Sequence, residues 1–195
     1  MRIHRIIKST FAEGYGKRYA IWTQGCTIRC KNCLNQQALA IDGGYELTIE
    51  ALLEDIRTQS DIDGLTILGG EPFDQEEELA SLCYEVKKMN LSIILFSGYQ
   101  LDHLLQRKTT SVKTILDSID LLIDGPYIEE LTGEHPLLAG SSNQNLIYLT
   151  DYFKHLPYAS KDLVEIRISK SGHIKVNGMF KYKELSKIWE GLYEL

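Results

Sequence analysis

Short apolar runs alternate along this chain with segments whose apolar residues recur every three or four positions, and most runs end on glycine or a small polar residue. Ile3 to Ile7 and Tyr19-Ala20-Ile21-Trp22 read as strands joined through Gly14-Tyr15-Gly16. That turn lacks the third glycine of a dinucleotide fingerprint and does not sit between a strand and a helix. After Gly43-Gly44, Thr48 is a natural cap for a helix with Ile49, Leu52, Leu53 and Ile56 on one face. Leu65 to Leu68 predicts a strand ending at Gly69-Gly70-Glu71-Pro72. Asp74 and Glu77 then have capping-box spacing ahead of a helix that buries Leu79, Leu82, Cys83 and Val86.

The alternation continues with strand Ile93 to Phe96, loop Ser97-Gly98-Tyr99, a helical region from about Leu101 to Ser118, strand Leu121 to Ile123 and loop Asp124-Gly125-Pro126-Tyr127. A polar stretch from Glu129 to Asn145 leads to strand Leu146 to Leu149. Beyond it, Val164 to Ile168 and Ile174 to Val176 flank Ser171-Gly172 as a β-hairpin, and a last amphipathic helix from about Tyr182 would bury Leu185, Ile188, Trp189 and Leu192. Strands alternating with helices need crossover connections, so the fold class is α/β with a mainly parallel sheet. In such folds the loops at the strand C-terminal ends carry the active site.

At 195 residues, 44% apolar and 25% charged, the chain fits one domain spanning 1–195, with about 151–195 as a C-terminal extension packed on it. A net charge of −6 argues against a general nucleic-acid binder. No run approaches the roughly 20 apolar residues of a membrane span, and the first residues lack a signal-peptide core. The expected location is the cytoplasm, where cysteines stay reduced.

Three of the four cysteines, Cys26, Cys30 and Cys33, fall within eight residues. Thiolates suit zinc or iron-sulfur clusters, and ligands in one loop lose little chain entropy on converging. Zinc as a structural ion wants four ligands, whereas this loop supplies three, and His103, His135, His155 and His173 are each isolated in sequence. A [4Fe-4S] cluster held by three cysteines would leave one iron open for chemistry. Cys83, on a helix stripe, reads as a core residue.

Cys26-x3-Cys30-x2-Cys33 followed by Gly69-Gly70-Glu71-Pro72 resembles the signature pair of the radical S-adenosylmethionine enzymes. The ordered set Gly14-x-Gly16-x-Arg18, Trp22-x-Gln24-Gly25-Cys26, Asn35, Gly69-Gly70-Glu71-Pro72-Phe73, Ser97-Gly98-Tyr99, Asp124-Gly125-Pro126-Tyr127 and Gly140-Ser141-Ser142-Asn143-Gln144 is similar to the activating enzymes of anaerobic ribonucleotide reductases. Asn32 and Leu34 depart from this pattern, since relatives often carry an aromatic residue near these places.

The resemblance implies a partial (β/α)6 TIM-like barrel of about six parallel units. Cys26, Cys30 and Cys33 would hold a [4Fe-4S] cluster, and S-adenosylmethionine would lie near Gly69, Gly70, Glu71, Pro72, Ser97, Asp124, Asn143 and Gln144. It implies reductive cleavage of S-adenosylmethionine to a 5′-deoxyadenosyl radical. That radical would activate a glycyl radical enzyme, with flavodoxin or ferredoxin as electron donor and neither nucleic acid nor membrane as partner. Radical modification of a peptide or a small molecule, such as a deazapurine precursor, is the enzymatic alternative, and a structural zinc module is the non-enzymatic one. The terminal hairpin and helix either extend and cover the sheet or add a partner-binding surface.

Overall fold

The computed structural model describes residues 1–132, 137–156 and 163–178. The chain starts with an antiparallel pair, β1 (Arg2–Thr10) and β2 (Arg18–Thr23), and β3 (Tyr45–Glu46) flanks β1. Strands and helices then alternate through α1 (Ile49–Arg57), β4 (Gly64–Gly69), α2 (Glu76–Lys88), β5 (Ser92–Phe96), α3 (Leu101–Arg107), α4 (Thr110–Ser118) and β6 (Leu121–Asp124), before β7 (Asn145–Tyr148). One seven-stranded sheet results, in the order β3-β1-β2-β4-β5-β6-β7.

The centre of the sheet is parallel and its margins are not. β2, β4, β5 and β6 run parallel, whereas β1, β3 and β7 pair antiparallel to their neighbours. The parallel run therefore has four strands instead of the expected six, and the sheet stays open between β3 and β7. Connection chemistry explains the difference, because a parallel neighbour requires a crossover of a dozen or more residues. The link between β1 and β2 is too short for one, and the described part of the link between β6 and β7 holds only the helical turn Glu129–Leu131.

The single helix expected over 101–118 is two. Lys108 adopts a left-handed φ of 54° that ends α3, and Thr109 starts α4 by accepting a hydrogen bond from the Val112 amide at 3.1 Å. Thr48 caps α1 as its sequence suggests, accepting from Ala51 at 3.1 Å.

Alternation along the strands divides the core in two. Tyr19, Ile21, Leu65, Ile67, Ile93 and Leu95 pack with the apolar stripes of the helices. Ala20, Trp22, Leu68 and Phe96 lie on the opposite face, which is covered over β5 and β6 by Tyr15, Leu138 and Phe153. On that face Arg18 is fully buried. Its guanidinium donates to Thr66 Oγ1 (3.1 Å), Ser92 Oγ (2.7 Å), Leu65 O (2.6 Å) and Ser92 O (2.9 Å), pinning the start of β2 to β4 and β5.

β8 (Val164–Ile168) and β9 (Ile174–Gly178) form a separate antiparallel sheet, so the hairpin does not extend the main one. Its polar face turns inward because buried groups need partners there. Glu165 accepts from Thr10 Oγ1 (2.8 Å) and the Phe11 amide (2.7 Å), while Asn177 donates to Thr10 Oγ1 and Glu13 Oε1, each at 3.0 Å. Ile166 and Ile168 are consequently exposed. The helix expected from Tyr182, like His135, lies outside the described residues. No helix among the described residues is long and apolar enough to cross a membrane.

Candidate active site

The loops that follow β2, β4, β5 and β6 meet at one end of the sheet. The cysteine loop leaves β2 and lies against the turn after β4. Gly70 N donates to Thr23 O and Glu71 N to Gly25 O, both at 2.9 Å, and Gly25 N donates to Ala38 O at 2.8 Å. A methyl group on Gly70 would stand 2.1 Å from the Gly25 carbonyl oxygen, and one on Gly69, whose φ is +119°, would stand 2.5 Å from the Thr23 amide nitrogen. These glycines let two backbones touch, so their first role is to seat the cysteine loop.

A polar clamp holds the same loop from the side. Asp74 does not cap α2, whose N-cap Gln75 makes no side-chain cap bond. Its carboxylate accepts from Thr27 N (2.7 Å), Thr27 Oγ1 (2.9 Å) and the Tyr99 hydroxyl (3.2 Å). Arg107 stacks over the Tyr99 ring with its guanidinium carbon 4.3 Å from the centroid, and pairs with Glu76 at 3.2 Å. Because the clamp is solvent-exposed, Asp74→Ala is expected to cost only about 1 kcal/mol of global stability. Local loosening of the cysteine loop should be the larger effect. Loss of the cluster's visible absorption in air should then be severalfold faster than in the parent, and an unchanged decay would remove Asp74 from this role.

Cys26 is buried, and Cys30 and Cys33 are half-buried. Burial pushes the Cys26 thiol above its ordinary range, while the backbone amides of Arg29 and Ile28 draw it back. Burial likewise raises Cys33, against the Asn35 amide, which donates to its sulfur at 3.4 Å. Such N–H···S contacts are the kind that tune iron-sulfur clusters. Among the described residues no three His, Cys, Asp or Glu side chains are placed to share one ion. Three thiolates in one loop, with backbone N–H donors on Cys26 and Cys33, are a donor set that fits an iron-sulfur cluster.

Of the residues expected around S-adenosylmethionine, Gly70 and Glu71 lie against this loop and the others stand at the neighbouring strand ends, with most of their polar atoms engaged by the protein. Glu71 is buried and accepts from Phe73 N (2.9 Å), Ser97 Oγ (3.0 Å) and Gly98 N (2.8 Å). Burial pushes its carboxyl up to about 7 against the pull of those donors. Pro72 starts the short helical turn Pro72–Gln75. Asp124 accepts from Leu101 N (2.6 Å) and Asn145 Nδ2 (2.8 Å). Gln144 brackets the next loop, accepting from Gly140 N (2.7 Å) and donating to Gly125 O (2.9 Å). Asn143 donates to Pro126 O (2.7 Å), but its Oδ1 is buried without a partner among the described residues. An orphaned acceptor at this loop junction suits a ligand that brings a donor.

Residues 12–147 match the family described as 4Fe-4S single cluster domain. The chain is also 31% identical over 140 residues to the anaerobic ribonucleoside-triphosphate reductase-activating protein of Haemophilus influenzae, covering 68% of this chain and 88% of that protein. To the protein of the same name from Enterobacteria phage T4 it is 31% identical over 162 residues, covering 80% and 99%. The Escherichia coli K12 protein is 24% identical over 157 residues, covering 76% and 99%. The chain belongs to this family of radical S-adenosylmethionine activating enzymes.

For a member of this activating-enzyme family, two contacts at the cysteine loop were not legible in the sequence. Asn32 Nδ2 donates to Glu129 Oε2 at 2.5 Å, and Lys31 lies 3.5 Å from Glu130. Asn32 has a left-handed φ of 54°, which asparagine tolerates better than the aromatic residue of many relatives. Asp74 and Asn145 were missed as well, and only the chain's folding brings them to their partners.

Cys83 belongs elsewhere. It is fully buried in the helix-side core, and burial pushes its thiol up to about 12. Cys83→Ala is expected to cost about 1 kcal/mol in urea unfolding and to leave bound iron at the parent level. Iron loss would place it in the cluster site.

Proposed function

We propose that Cys26, Cys30 and Cys33 hold a [4Fe-4S] cluster with one iron left to S-adenosylmethionine, and that the chain activates an anaerobic ribonucleotide reductase by removing hydrogen from a backbone glycine. The observation that carries this reading is the position of Cys83. Sealed into the helix-side core, it is not available to complete a four-cysteine set. When bound, the cluster and S-adenosylmethionine together supply, at the cost of one electron, a 5′-deoxyadenosyl radical that accepts the hydrogen.

The chain's own residues then bind, orient and shield. Gly69, Gly70 and Asp74 seat the ligand loop. Glu71, Ser97, Asp124 and Gln144 lock the surrounding turns into one floor, and Asn143 Oδ1 offers an acceptor to S-adenosylmethionine. The open sheet is a reduced form of the partial (β/α) barrel. The described helices pack on one face of the sheet, and a partner protein would close the site at the strand ends, over the loops that carry it, and so exclude water. The chain forms one domain, on which the β8–β9 hairpin packs through Thr10 and Glu13. Flavodoxin or ferredoxin serves as electron donor in the cytoplasm.

The test is anaerobic reconstitution with iron and sulfide, followed by incubation with purified anaerobic ribonucleoside-triphosphate reductase, S-adenosylmethionine and reductant. A glycyl radical in the reductase, seen by electron paramagnetic resonance, is the expected result. Formation of 5′-deoxyadenosine with a modified peptide or metabolite and no glycyl radical would replace activation by direct modification.

A further inference from the structure

β1 carries a bulge near the cysteine loop. Ile3 pairs with Thr23 and Arg5 with Trp22, so His4 is the extra residue. Bulges re-aim side chains next to functional sites. Here Ile3 enters the helix-side core, whereas His4 approaches Gln24 Oε1 (3.1 Å) and Arg5 lays its guanidinium on the Trp22 ring, 3.8 Å from the centroid. Both therefore stand beside the segment that leads into Cys26, and Arg5 lies with Trp22 on the sheet face opposite the described helices.

The Arg5 guanidinium is held but unspent. Its Nε is buried without a partner, and the side chain forms no hydrogen bond or ion pair among the described residues. The carboxylate whose field it feels is Glu13, and that group is engaged elsewhere, by Asn177 Nδ2 at 3.0 Å and the Gly178 amide. Both partners come from the β8–β9 hairpin, which lies beyond the family match ending at residue 147. The hairpin thus holds Glu13, which forms no ion pair with Arg5 among the described residues. A ring-stacked guanidinium with free donors is a preorganised fork for a carboxylate or carbonyl oxygen.

We propose that Arg5 anchors an acceptor oxygen, carboxylate or main-chain carbonyl, of the polypeptide segment that the partner presents to the site. This rests on the reading that the substrate is a protein.

The test uses the reconstituted full-length chain and the reductase, with KM and kcat taken from the rate of glycyl radical formation. Arg5→Gln should raise KM for the reductase about tenfold with kcat within about twofold, as for a lost charge-assisted contact. Arg5→Lys, which keeps the charge without the fork, should fall between. Iron content and visible absorption of each variant check that the fold and cluster are intact. If the Arg5 effect fades in high salt the acceptor is a carboxylate, and if it persists it is a carbonyl; either supports the anchor. An unchanged KM in well-loaded Arg5→Gln overturns the anchor while the activation reading stands. No glycyl radical with the parent protein overturns both.

Discussion

Alanine at Cys26, Cys30 or Cys33, one at a time, is expected to abolish cluster assembly and the formation of 5′-deoxyadenosine. The loss should exceed the roughly 10–100-fold typical of removing a partner outside the metal's own ligands. Each thiolate serves a separate iron, so none can substitute for another, and Cys83 is too deeply buried to move in. Cys26 is the most buried of the three and faces two backbone amides, so alanine there also strands those donors. Iron and sulfide analysis with visible absorption checks the assembly, and chromatography of 5′-deoxyadenosine checks the chemistry. A variant with full iron and turnover would remove that cysteine from the set. A parent protein that takes up only zinc would end the proposal.

How much of this was legible in the sequence depended on the range of the interaction. The cysteine loop and the strands before each glycine-rich turn are local patterns, and their positions follow from spacing and from runs such as Leu65 to Leu68 that are buried on both faces. Choices between competing partners were not legible. Asp74 has the spacing of a capping box, but the fold offers it Thr27 and Tyr99, and they win. Nothing in 101–118 marks Lys108 as the left-handed stop. The hairpin's alternation was visible, yet which face turned inward depended on Glu13 and Thr10, more than 150 residues away. Glu71, Ser97 and Asp124 stand at strand ends that the sequence marks, although their hydrogen-bond partners, Glu71 and Ser97 being each other's, emerged only with the fold.

That engagement gives Glu71 the second large expected effect. Its carboxylate joins the turn after β4 to the loop after β5 through Phe73 N, Ser97 Oγ and Gly98 N, and the same turn carries Gly25 of the cysteine loop. Glu71→Ala would leave three donors without an acceptor, two of them buried and the Gly98 amide partly so. Each such orphan costs about 1–3 kcal/mol, and relaxation prevents simple addition, so a loss of roughly 3 kcal/mol is expected in urea unfolding. The loops that frame S-adenosylmethionine would loosen together, and its affinity should fall at least about tenfold. Glu71→Gln keeps the size and one acceptor oxygen but turns an amide donor toward one of the donors now satisfied, so it should lose part of both quantities. The ratio of the two losses distinguishes the possible roles. If Glu71 acts as the bracket between loops, stability and S-adenosylmethionine affinity fall together across Gln and Ala. If its carboxylate instead receives the ammonium group of S-adenosylmethionine, Glu71→Gln retains the parent's stability and loses the affinity alone.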